Sequence, residues 1–516
     1  MRVLVAALLS VVLFSCSVQP ISFNIVSASE NQSFEAALVD FAHSKGVDLH
    51  FVYKGSVDIM DQLMTDTSTI DAVWPASGLW TTLGDTGHAV KDRQNVFVTP
   101  VVLGVQQSLA QKWGWTQHEV TVSDILAKVQ TKELQFLMTS ATQSNSGASA
   151  YLGFLSAVMG NPEVLTEKDL DNPKALDRLR GLLSGVNRSA GSSGWLKDLF
   201  LSGNYSAMIN YEALVIEANK ALVAQGKEPL QLVYPVDGLA LADSQLGFVD
   251  HGDIVKARFY QDLKRFLTGP MQPVFLASGR RVGIGGTLDN ADPSVFNPAW
   301  GISSQRILSP IKLPSAGVIF KALNLYQSEL RKPSLTVFCL DYSGSMEGDR
   351  NAQLMEAMGL LLTPERAARY FLQPSRLDLT IVIPFSTTPS SLMSIQGNKP
   401  GDLAELLRSI QNLPVGGKTD IYSPIILGLQ EIQKRDLTQY VPAIILMTDG
   451  ESNVGVKFED FQAAWAASKT KIPIFPILFG DGSLQQMRQL SDTTQGSVFD
   501  GTKNLVEAMK KAKGYN

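Results

Sequence analysis

Cysteine is nearly absent from this sequence, which has only Cys16 and Cys339 in 516 residues. A disulfide framework needs several pairs, so disulfides do not hold this protein together. Cys339 lies in the apolar run 335–340, where a free cysteine behaves as a small core residue. A chain of this length has enough apolar surface to form two or three domains with substantial cores.

Histidine is also scarce, and the motifs of common catalysts are missing. The histidines share no spacing typical of metal ligands; they are His43, His50, His88, His118 and His251. The sequence contains neither a Gly-x-Ser-x-Gly nucleophile elbow nor a phosphate-binding Walker A loop. We therefore expect a protein that is not an enzyme.

An excess of charge of either sign is lacking too. The formal net charge is −5, the pI is near 5.7, and Lys and Arg are scattered along the chain. This composition carries no electrostatic footprint for nucleic acid and gives no reason to expect attraction to anionic membranes. Beyond the amino terminus, no apolar run approaches the ~20 residues that a membrane-spanning helix needs.

The amino terminus indicates where the protein acts. Arg2 precedes an apolar run, 3–14, which is too short to span a bilayer and is typical of a secretory signal peptide. The stretch 13–16, Leu-Phe-Ser-Cys, resembles the lipobox of bacterial lipoproteins. The resemblance implies a signal peptide at 1–16, lipidation of Cys16 and stable anchoring outside the cytoplasm on the bacterial cell membrane. The alternative is an ordinary signal peptide cleaved nearby, with the cysteine incidental.

Oxygen-bearing side chains follow an apolar strand pattern in the second half of the chain. The run 335–340 leads directly into Asp341, Ser343 and Ser345, and a helical pattern follows at 354–361. In an open α/β sheet, ligands bind at the carboxyl ends of the strands. Oxygen ligands suit Mg²⁺, Ca²⁺ or Mn²⁺ better than Zn²⁺. The sequence therefore predicts a site for a hard cation at this strand end.

Two later segments supply what such a site would otherwise lack. Thr419 lies on a glycine-bearing loop, 416–420, and Asp449 ends a second buried-strand pattern, 443–447. Asp-x-Ser-x-Ser, then Thr, then Thr-Asp-Gly, in that order, resembles the metal-ion-dependent adhesion site of von Willebrand factor type A (VWA) domains. The resemblance covers 333–516.

The resemblance implies a ligand set for one divalent metal. The hydroxyls of Ser343, Ser345 and Thr419 would coordinate Mg²⁺ (or Ca²⁺ or Mn²⁺), and Asp341 and Asp449 would hold it largely through bound water. One coordination position would stay open for an acidic group of a protein partner. The alternative interpretation is that these residues are turn formers, since Asp, Ser and Gly are common in turns.

One residue departs from the pattern of the family. Lys418 stands where family members often carry a glycine, and we expect its long side chain to point away from the metal. Catalysis is the other alternative, because the Asp341–Asp449 pair could activate a water on Mg²⁺. The neighbouring candidates for proton transfer, Glu347 and Glu451, are equally consistent with solvated surface charges.

The first 300 residues repeat a different pattern. Strand-like segments at 21–26, 49–53 and 71–74 alternate with helical segments, and each strand ends in a loop of small polar residues. A further strand, 134–138, leads into a hydroxyl-rich loop at 139–149. Loops of this kind present N–H groups and hydroxyls to ligands near helix N-termini. The pattern predicts a βαβαβ arrangement with polar loops on one side.

The order of these elements resembles the type II periplasmic solute-binding proteins. Segments 98–105 and 232–238 are candidate crossings between lobes, and the resemblance places this domain at 17–310. It implies two α/β lobes around a ligand cleft, with one lobe made of 21–104 plus 232–310 and the other of 105–231.

The same resemblance places eight residues in cleft loops. They are Ser29, Ser56, Ser77, Thr142, Asn145, Ser146, Tyr211 and Asp237. The alternative for each is a role as helix cap or turn former. The loop 144–149 could cradle an anion, although hydroxyl-rich loops also bind sugars or peptides.

A connecting loop and helix, 311–332, joins this region to the VWA-like domain at 333–516. No Gly/Ser-rich spacer occurs there, so we expect the domains to be joined rather rigidly. In the second domain, strands are expected at 379–383, 443–447 and 472–479, and helices near 403–411, 422–434, 459–468 and 504–513. The expected fold class is α/β: a two-lobed periplasmic-binding-protein-like domain followed by a doubly wound, Rossmann-like VWA domain.

The leading functional hypothesis is a membrane-anchored extracytoplasmic lipoprotein. It would bind an envelope or surface protein through the metal site and use the solute-binding-like domain to sense or recognise a small molecule. The alternative is a substrate-binding receptor of an ABC-type importer with an accessory VWA domain. Metal-dependent hydrolysis is a third hypothesis, which predicts turnover that is lost on chelation.

Overall fold

The computed structural model describes residues 21–288, 291–480 and 482–514. The expected signal peptide and Cys16 lie outside these residues, so the lipid anchor stays a prediction. In the described part of the chain, no helix combines the length and the apolarity needed to cross a bilayer.

Residues 21–288 form two lobes, each with its own sheet. The strands are β1 (Ile21–Ala28), β2 (Val47–Lys54), β3 (Ala72–Trp74), β4 (Val90–Asn95), β5 (Thr99–Gln106), β6 (Phe136–Met138), β7 (Val186–Arg188), β8 (Ala207–Tyr211), β9 (Leu230–Val233), β10 (Ala240–Ala242) and β11 (Gln245–Val249). The α-helices are α1 (Glu35–Ser44), α2 (Ser56–Thr65), α3 (Gly78–Gly84), α4 (Gln107–Lys112), α5 (Val122–Gln130), α6 (Asn145–Val158), α7 (Pro173–Leu183), α8 (Ser193–Ser202), α9 (Glu212–Ala224), α10 (Ile254–Thr268) and α11 (Gln272–Ala277). A 3₁₀ helix, Ser29–Phe34, joins β1 to α1.

The first lobe is a five-stranded sheet in the order β2-β1-β3-β11-β4. Strand β1 runs parallel to β2 and β3, as its βαβαβ pattern predicts. Phe23 and Ile25 point to one face, where they pack with Phe259 of α10. Val26 points to the other face and packs with Ile59 of α2. Alternation with a period of two therefore buries both faces under helices.

The second lobe is a sheet in the order β10-β5-β8-β6-β7, with β9 also paired to β5. The expected lobe boundaries, 21–104 plus 232–310 and 105–231, are therefore wrong. Strand β5 belongs to the second sheet along its whole length, because it pairs antiparallel with β8, β9 and β10. The chain crosses before Thr99 and again at Ser244, whose carbonyl accepts a hydrogen bond from Val96 N (3.1 Å). An apolar run predicts a strand, but only its partners decide which sheet it joins.

A packed connector follows the two lobes. Helix α12 (Ala316–Leu325) continues into a π-helical turn, Tyr326–Leu330. Tyr326 packs edge-to-face on Tyr151 of α6, with ring centroids 5.2 Å apart. The Tyr151 hydroxyl donates to the carbonyl of Ala322 (2.8 Å). The connector is thus held against the second lobe.

The C-terminal domain is a six-stranded sheet in the order β14-β13-β12-β15-β16-β17. Its strands are β12 (Ser334–Asp341), β13 (Leu379–Phe385), β14 (Met393–Gln396), β15 (Val441–Thr448), β16 (Ile474–Leu478) and β17 (Phe499–Asp500). Its helices are α13 (Asp349–Leu362), α14 (Pro364–Ala368), α15 (Pro400–Gln411), α16 (Tyr422–Gln433), α17 (Phe458–Ala467), α18 (Leu484–Thr494) and α19 (Leu505–Lys513). Only β14 pairs antiparallel with its neighbour.

Helices cover both faces of this sheet, as a doubly wound fold requires. Phe338 and Leu340 of β12 lie in one apolar cluster with residues of α13 and α19. Val337 and Cys339 face the opposite cluster, which includes residues of α16 and α18. Cys339 is fully buried, as its position in an apolar strand predicts. The predicted α/β fold class is confirmed for both domains.

Candidate functional site

The three loops of the metal-type motif converge at the carboxyl edge of the second domain's sheet. Gly344 N donates to the carbonyl of Gly417 (3.0 Å), which joins the first loop to the second. The Ser345 hydroxyl donates to Asp449 Oδ1 (2.8 Å), which joins the first to the third. Thr419 N donates to Asn453 Oδ1 (3.1 Å), which joins the second to the third. The convergence follows from topology, because β12 lies parallel to β15 and ends beside it.

The hydroxyl groups of this cluster face a common point. Ser343 Oγ and Ser345 Oγ are 3.1 Å apart. A Cβ atom added to Gly450 would lie 3.6 Å from Ser345 Oγ and 3.7 Å from Thr419 Oγ1, so both hydroxyls surround the same space. Glycine keeps that space free of a side chain.

The two carboxylates are buried and held in fixed orientations. Asp341 Oδ1 accepts a hydrogen bond from Ser343 N (2.8 Å), and Oδ2 accepts one from the Thr448 hydroxyl (2.6 Å). Burial raises the pKa of Asp341, and the charge of Asp449 raises it further. Asp449 Oδ2 pairs with Arg350 Nη1 (2.6 Å), while Oδ1 faces Ser345. One arginine beside two buried carboxylates leaves negative charge that a cation can balance.

This donor set fits a hard divalent cation. It offers two carboxylates and three hydroxyls and contains neither nitrogen nor sulfur, which is the chemistry that Mg²⁺, Ca²⁺ and Mn²⁺ prefer. Among the residues that the structure describes, no group of three or more His, Cys, Asp or Glu side chains is arranged to hold a metal. Any metal at these loops would therefore depend on the hydroxyl oxygens as well as the carboxylates.

Lys418 and Arg350 are charged neighbours of the motif. Lys418 is exposed, which agrees with an outward orientation, and its backbone N–H donates to Thr387 Oγ1 (2.9 Å). Arg350 was not predicted as part of the site, although its position in the sequence carries a signal. An arginine in the first turn of a helix opposes the helix dipole, so it indicates a nearby carboxylate, which here is Asp449.

Four of the eight expected cleft residues come together between the lobes. Asn145 Nδ2 donates to the Tyr211 hydroxyl (2.9 Å), and its Oδ1 accepts from Trp80 Nε1 of the first lobe (2.7 Å). The Ser146 hydroxyl lies 2.8 Å from the hydroxyl of Ser193. Ser29 of the first lobe bonds to Ser192 through its hydroxyl and accepts from Gly194 N (3.0 Å). The loop 189–194, which supplies these partners, was missed, although it is a serine- and glycine-rich stretch before a helix.

The other four make contacts outside this cluster. Ser56 Oγ accepts a hydrogen bond from Ala76 N (3.0 Å), and Ser77 caps helix α3 through Leu79 N (3.3 Å). Asp237 Oδ1 accepts from Val122 N at the start of α5 (2.8 Å). Thr142 lies 3.0 Å from the hydroxyl of Ser140 and also donates towards Gln327 of the connector (3.5 Å). Ser77 is thus a helix cap, and a ligand role for Ser56, Thr142 and Asp237 stays a prediction.

The two lobes are closed on each other. Val57 N of the first lobe donates to the carbonyl of Gln143 in the second (3.0 Å). Gly55 has no room for a side chain, because a Cβ there would lie 2.2 Å from Gln143 O and 2.6 Å from Gly191 O. Behind the cleft, Arg281 forms a fully buried two-point ion pair with Glu212 of α9 (Nε–Oε1 and Nη2–Oε2 both 2.7 Å).

A buried carboxylate also lies at this junction. Glu30 follows Ser29 directly, and its Oε1 has no hydrogen-bond partner among the described residues. Burial raises the pKa of Glu30 to about 7, although the charge of Arg280 lowers it. Burial also raises the pKa of Tyr211, and the charge of Glu30 raises it further. Glu30, Asn145, Ser146 and Tyr211 form a polar cluster between the lobes. This polar cluster contains an acceptor that is available to a group with a hydrogen to donate.

Comparison with known proteins finds one family-model match in each of the two domains. Residues 23–279 match the family model for bacterial extracellular solute-binding proteins, and residues 336–451 match the model for the von Willebrand factor type A domain. Over 170 residues the chain is 25% identical to the inter-alpha-trypsin inhibitor heavy chain H1 of Bos taurus, a match covering 31% of this chain. The match spans 18% of that protein's length, and a second curated relative is matched over 20% of its length.

Solved structures resemble each part separately. The sulfate-binding protein SubI from Mycobacterium tuberculosis H37Rv is 18% identical, with a TM-score of 0.40, over 58% of this chain and 96% of that one. A von Willebrand factor type A protein from Catenulispora acidiphila is 15% identical, with a TM-score of 0.29, over 36% of this chain and 42% of that one.

Proposed function

We propose that this chain, which joins a bacterial extracellular solute-binding domain to a von Willebrand factor type A domain, is an extracytoplasmic receptor. In this proposal, the first domain binds a small polar solute and the second binds a protein partner through a divalent metal. The observation that carries the proposal is the convergence of three loops, in which the hydroxyls of Ser345 and Thr419 border one space and Ser345 bonds to Asp449. Lipidation of Cys16 would hold the receptor at the cell membrane.

The metal would be held by the residues that the motif names. Ser343, Ser345 and Thr419 would supply hydroxyl ligands to Mg²⁺ (or Ca²⁺ or Mn²⁺), and Asp341 and Asp449 would hold it largely through water. The bound cation supplies a positive centre for an acidic side chain of the partner. The charge balance supports this role, since Asp341 has hydrogen-bond partners but no cationic partner among its described contacts.

The polar cluster between the lobes supports a solute rather than a purely structural junction. It combines the side chains of Asn145, Ser146 and Tyr211 with the buried Glu30, whose Oε1 lacks a partner among the described residues. A buried acceptor without a donor costs free energy, and a solute that donates a hydrogen bond to Glu30 would recover it. We therefore propose a neutral or cationic solute with hydroxyl or amino groups.

The position of the last helix supports sensing over transport. Lys510 Nζ of α19 pairs with Asp61 of the first lobe (3.1 Å), while its backbone carbonyl accepts from Gln143 Nε2 of the second (2.7 Å). Separation of the lobes would break one of these contacts. Solute-dependent closure of the lobes and docking of the VWA domain are therefore linked in this proposal. For a receptor that releases its solute to an importer, the same contacts would hinder opening.

The test compares metal binding and partner binding in the same protein. We expect isothermal titration with Mn²⁺ and Mg²⁺ to give one site in the full chain and none in Asp341→Ala. Asp402→Asn, which removes an exposed carboxylate on α15, is the matched control. A partner recovered from native membranes should be retained by the full chain and by the control in Mg²⁺, and released by chelator.

Two results would count against the proposal. Equal metal affinity of Asp341→Ala and the full chain would show that the metal does not bind at these loops. Equal recovery of the same partner by Asp341→Ala, or in chelator, would separate partner binding from the metal. Turnover of a substrate that is lost on chelation would instead favour the hydrolytic alternative.

A further inference from the structure

A large groove separates the second lobe from the C-terminal domain. Its volume is about 780 Å³, within the range of small-molecule sites. The second lobe contributes residues just before β6 and residues before and within β7, and the C-terminal domain contributes the start of β15 and residues just before β16. Most of the groove thus lies at the amino ends of strands, and Arg188 enters it from the last residue of the three-residue strand β7. The metal-type loops and the polar cluster lie in loops that follow the carboxyl ends of strands, so the groove is a separate site.

The charged residues that line the groove all have the same sign. They are Lys132 and Arg188 from the second lobe, Lys332 from the connector and Lys471 from the C-terminal domain. No carboxylate occurs among the described residues that line it. This composition is unexpected for a chain with 49 acidic and 44 basic residues. Four basic groups from three parts of the chain make a local excess of positive charge. The sequence does not show this excess, because the four positions are far apart along the chain.

Two of these side chains, Arg188 and Lys471, contact backbone carbonyls rather than carboxylates. Arg188 is buried, with 8% of its surface exposed, and its Nη1 donates to the neutral carbonyl of Pro442 (2.6 Å). Lys471 Nζ donates to the carbonyls of Trp465 (3.2 Å) and Ala466 (2.6 Å) at the end of α17. Neither contact is with a carboxylate, although the carbonyls at the end of α17 carry the partial negative charge of the helix dipole.

The pKa of Lys332 reflects its burial and the neighbouring positive charge. Burial lowers the pKa of Lys332, and the charge of Arg188 lowers it further, while Asp436 raises it. Asp436 is an acidic group at this edge of the groove. Hydrogen bonds from the hydroxyl (2.7 Å) and N–H (3.0 Å) of Thr438 to its Oδ1 lower the pKa of Asp436, and the charge of Lys132 lowers it further. This one carboxylate faces four basic groups. A buried arginine beside a half-buried lysine is costly unless an anion shares the site.

We propose that this groove binds a small molecule carrying two or more anionic groups, phosphates or carboxylates. The buried guanidinium of Arg188 would hold one group with directed hydrogen bonds, since Arg presents a planar set of donors. Lys132 and Lys332 would engage a second. Because the walls belong to different domains, the ligand would also strengthen the contact between them. This inference does not depend on the metal site or on the solute of the lobes.

The test titrates the full chain with pyrophosphate, and separately with citrate, in buffer free of divalent metal. At low ionic strength we expect one site, with an affinity that falls as NaCl is added, because salt screens exposed charges. Lys132→Gln combined with Lys332→Gln should weaken binding at least tenfold. The matched control is Lys168→Gln combined with Lys227→Gln, which removes two exposed lysines from the same lobe.

The arms of the experiment separate the two ligand chemistries. Binding of pyrophosphate alone assigns a phosphate-bearing ligand, and binding of citrate alone assigns a carboxylate-bearing one. Equal weakening by the control pair would show a nonspecific charge effect and overturn the proposal. Binding that the groove variant leaves unchanged would place the anion elsewhere, and absence of binding by both probes would also overturn it. Thermal melts of both variants show whether each remains folded.

Discussion

Replacement of Glu30 by glutamine should change how the stability of the solute-binding domain depends on pH. Glu30 is buried at the junction of the lobes, where burial raises its pKa to about 7 from an ordinary value of 4.5. Glutamine has nearly the same shape and stays neutral at every pH. The substitution therefore removes the titration and little else.

The sign and size of the effect follow from the two pKa values. Below pH 4.5 the carboxyl is protonated in both the folded and unfolded states, and it contributes no pH dependence. Between pH 4.5 and 7 the unfolded state releases the proton while the folded state retains it, so the free energy of unfolding falls as pH rises. The full difference corresponds to at most about 3 kcal/mol. At pH 7.5, Glu30→Gln should thus be more stable than the natural chain by up to that amount.

Urea unfolding at several pH values between 4.5 and 8 measures this difference. Tryptophan fluorescence is a suitable probe, because Trp74 and Trp80 are fully buried in this domain. Asp40→Asn, which removes an exposed carboxylate on α1, is the control and should follow the natural chain. Parallel pH profiles for Glu30→Gln and the natural chain would refute the argument, since they would mean that Glu30 titrates normally when folded.

Two further predictions concern how the lobes are held together. Gly55→Ala should force the lobes apart, because its Cβ would lie 2.2 Å from the backbone oxygen of Gln143; small-angle scattering should show a larger radius of gyration. Gly87→Ala, which meets no atom within 4 Å, is the control, and an unchanged radius for both would contradict the closed arrangement. Arg281→Met should lower the free energy of unfolding by about 3–5 kcal/mol, since it leaves the buried charge of Glu212 unpaired. A loss below 1 kcal/mol in urea titration would show that this ion pair is not desolvated as described.

Local patterns were sufficient to predict most elements of the fold. The apolar run before Asp341 predicts a buried parallel strand, and β12 forms one with β13 and β15 as its neighbours. The convergence of the metal-type loops was also predictable, because parallel strands that lie side by side bring their carboxyl ends to one edge. Metal binding itself, like the lipid anchor at Cys16, stays a prediction that awaits experiment.

The errors occurred where pairing between distant segments decides the outcome. The pattern at 98–105 predicts a crossing strand, but hydrogen bonds with β8, β9 and β10 place it wholly in the second lobe. Similarly, a serine before a helix is typical of both a cap and a ligand contact. Ser77 caps α3, whereas Ser29 meets the opposite lobe.

The sequence alone determined the two α/β domains, their order and the oxygen-rich loops, because hydrophobic periodicity and short motifs are properties of neighbouring residues. Only the tertiary structure decided that the lobes are closed and that helix α19 touches both of them. It also decided that Glu30 is buried with no donor for one oxygen among the residues the structure describes. The basic groove belongs to this second group. Its lysines and arginine are far apart in sequence, so their shared field exists only where folding brings three parts of the chain together.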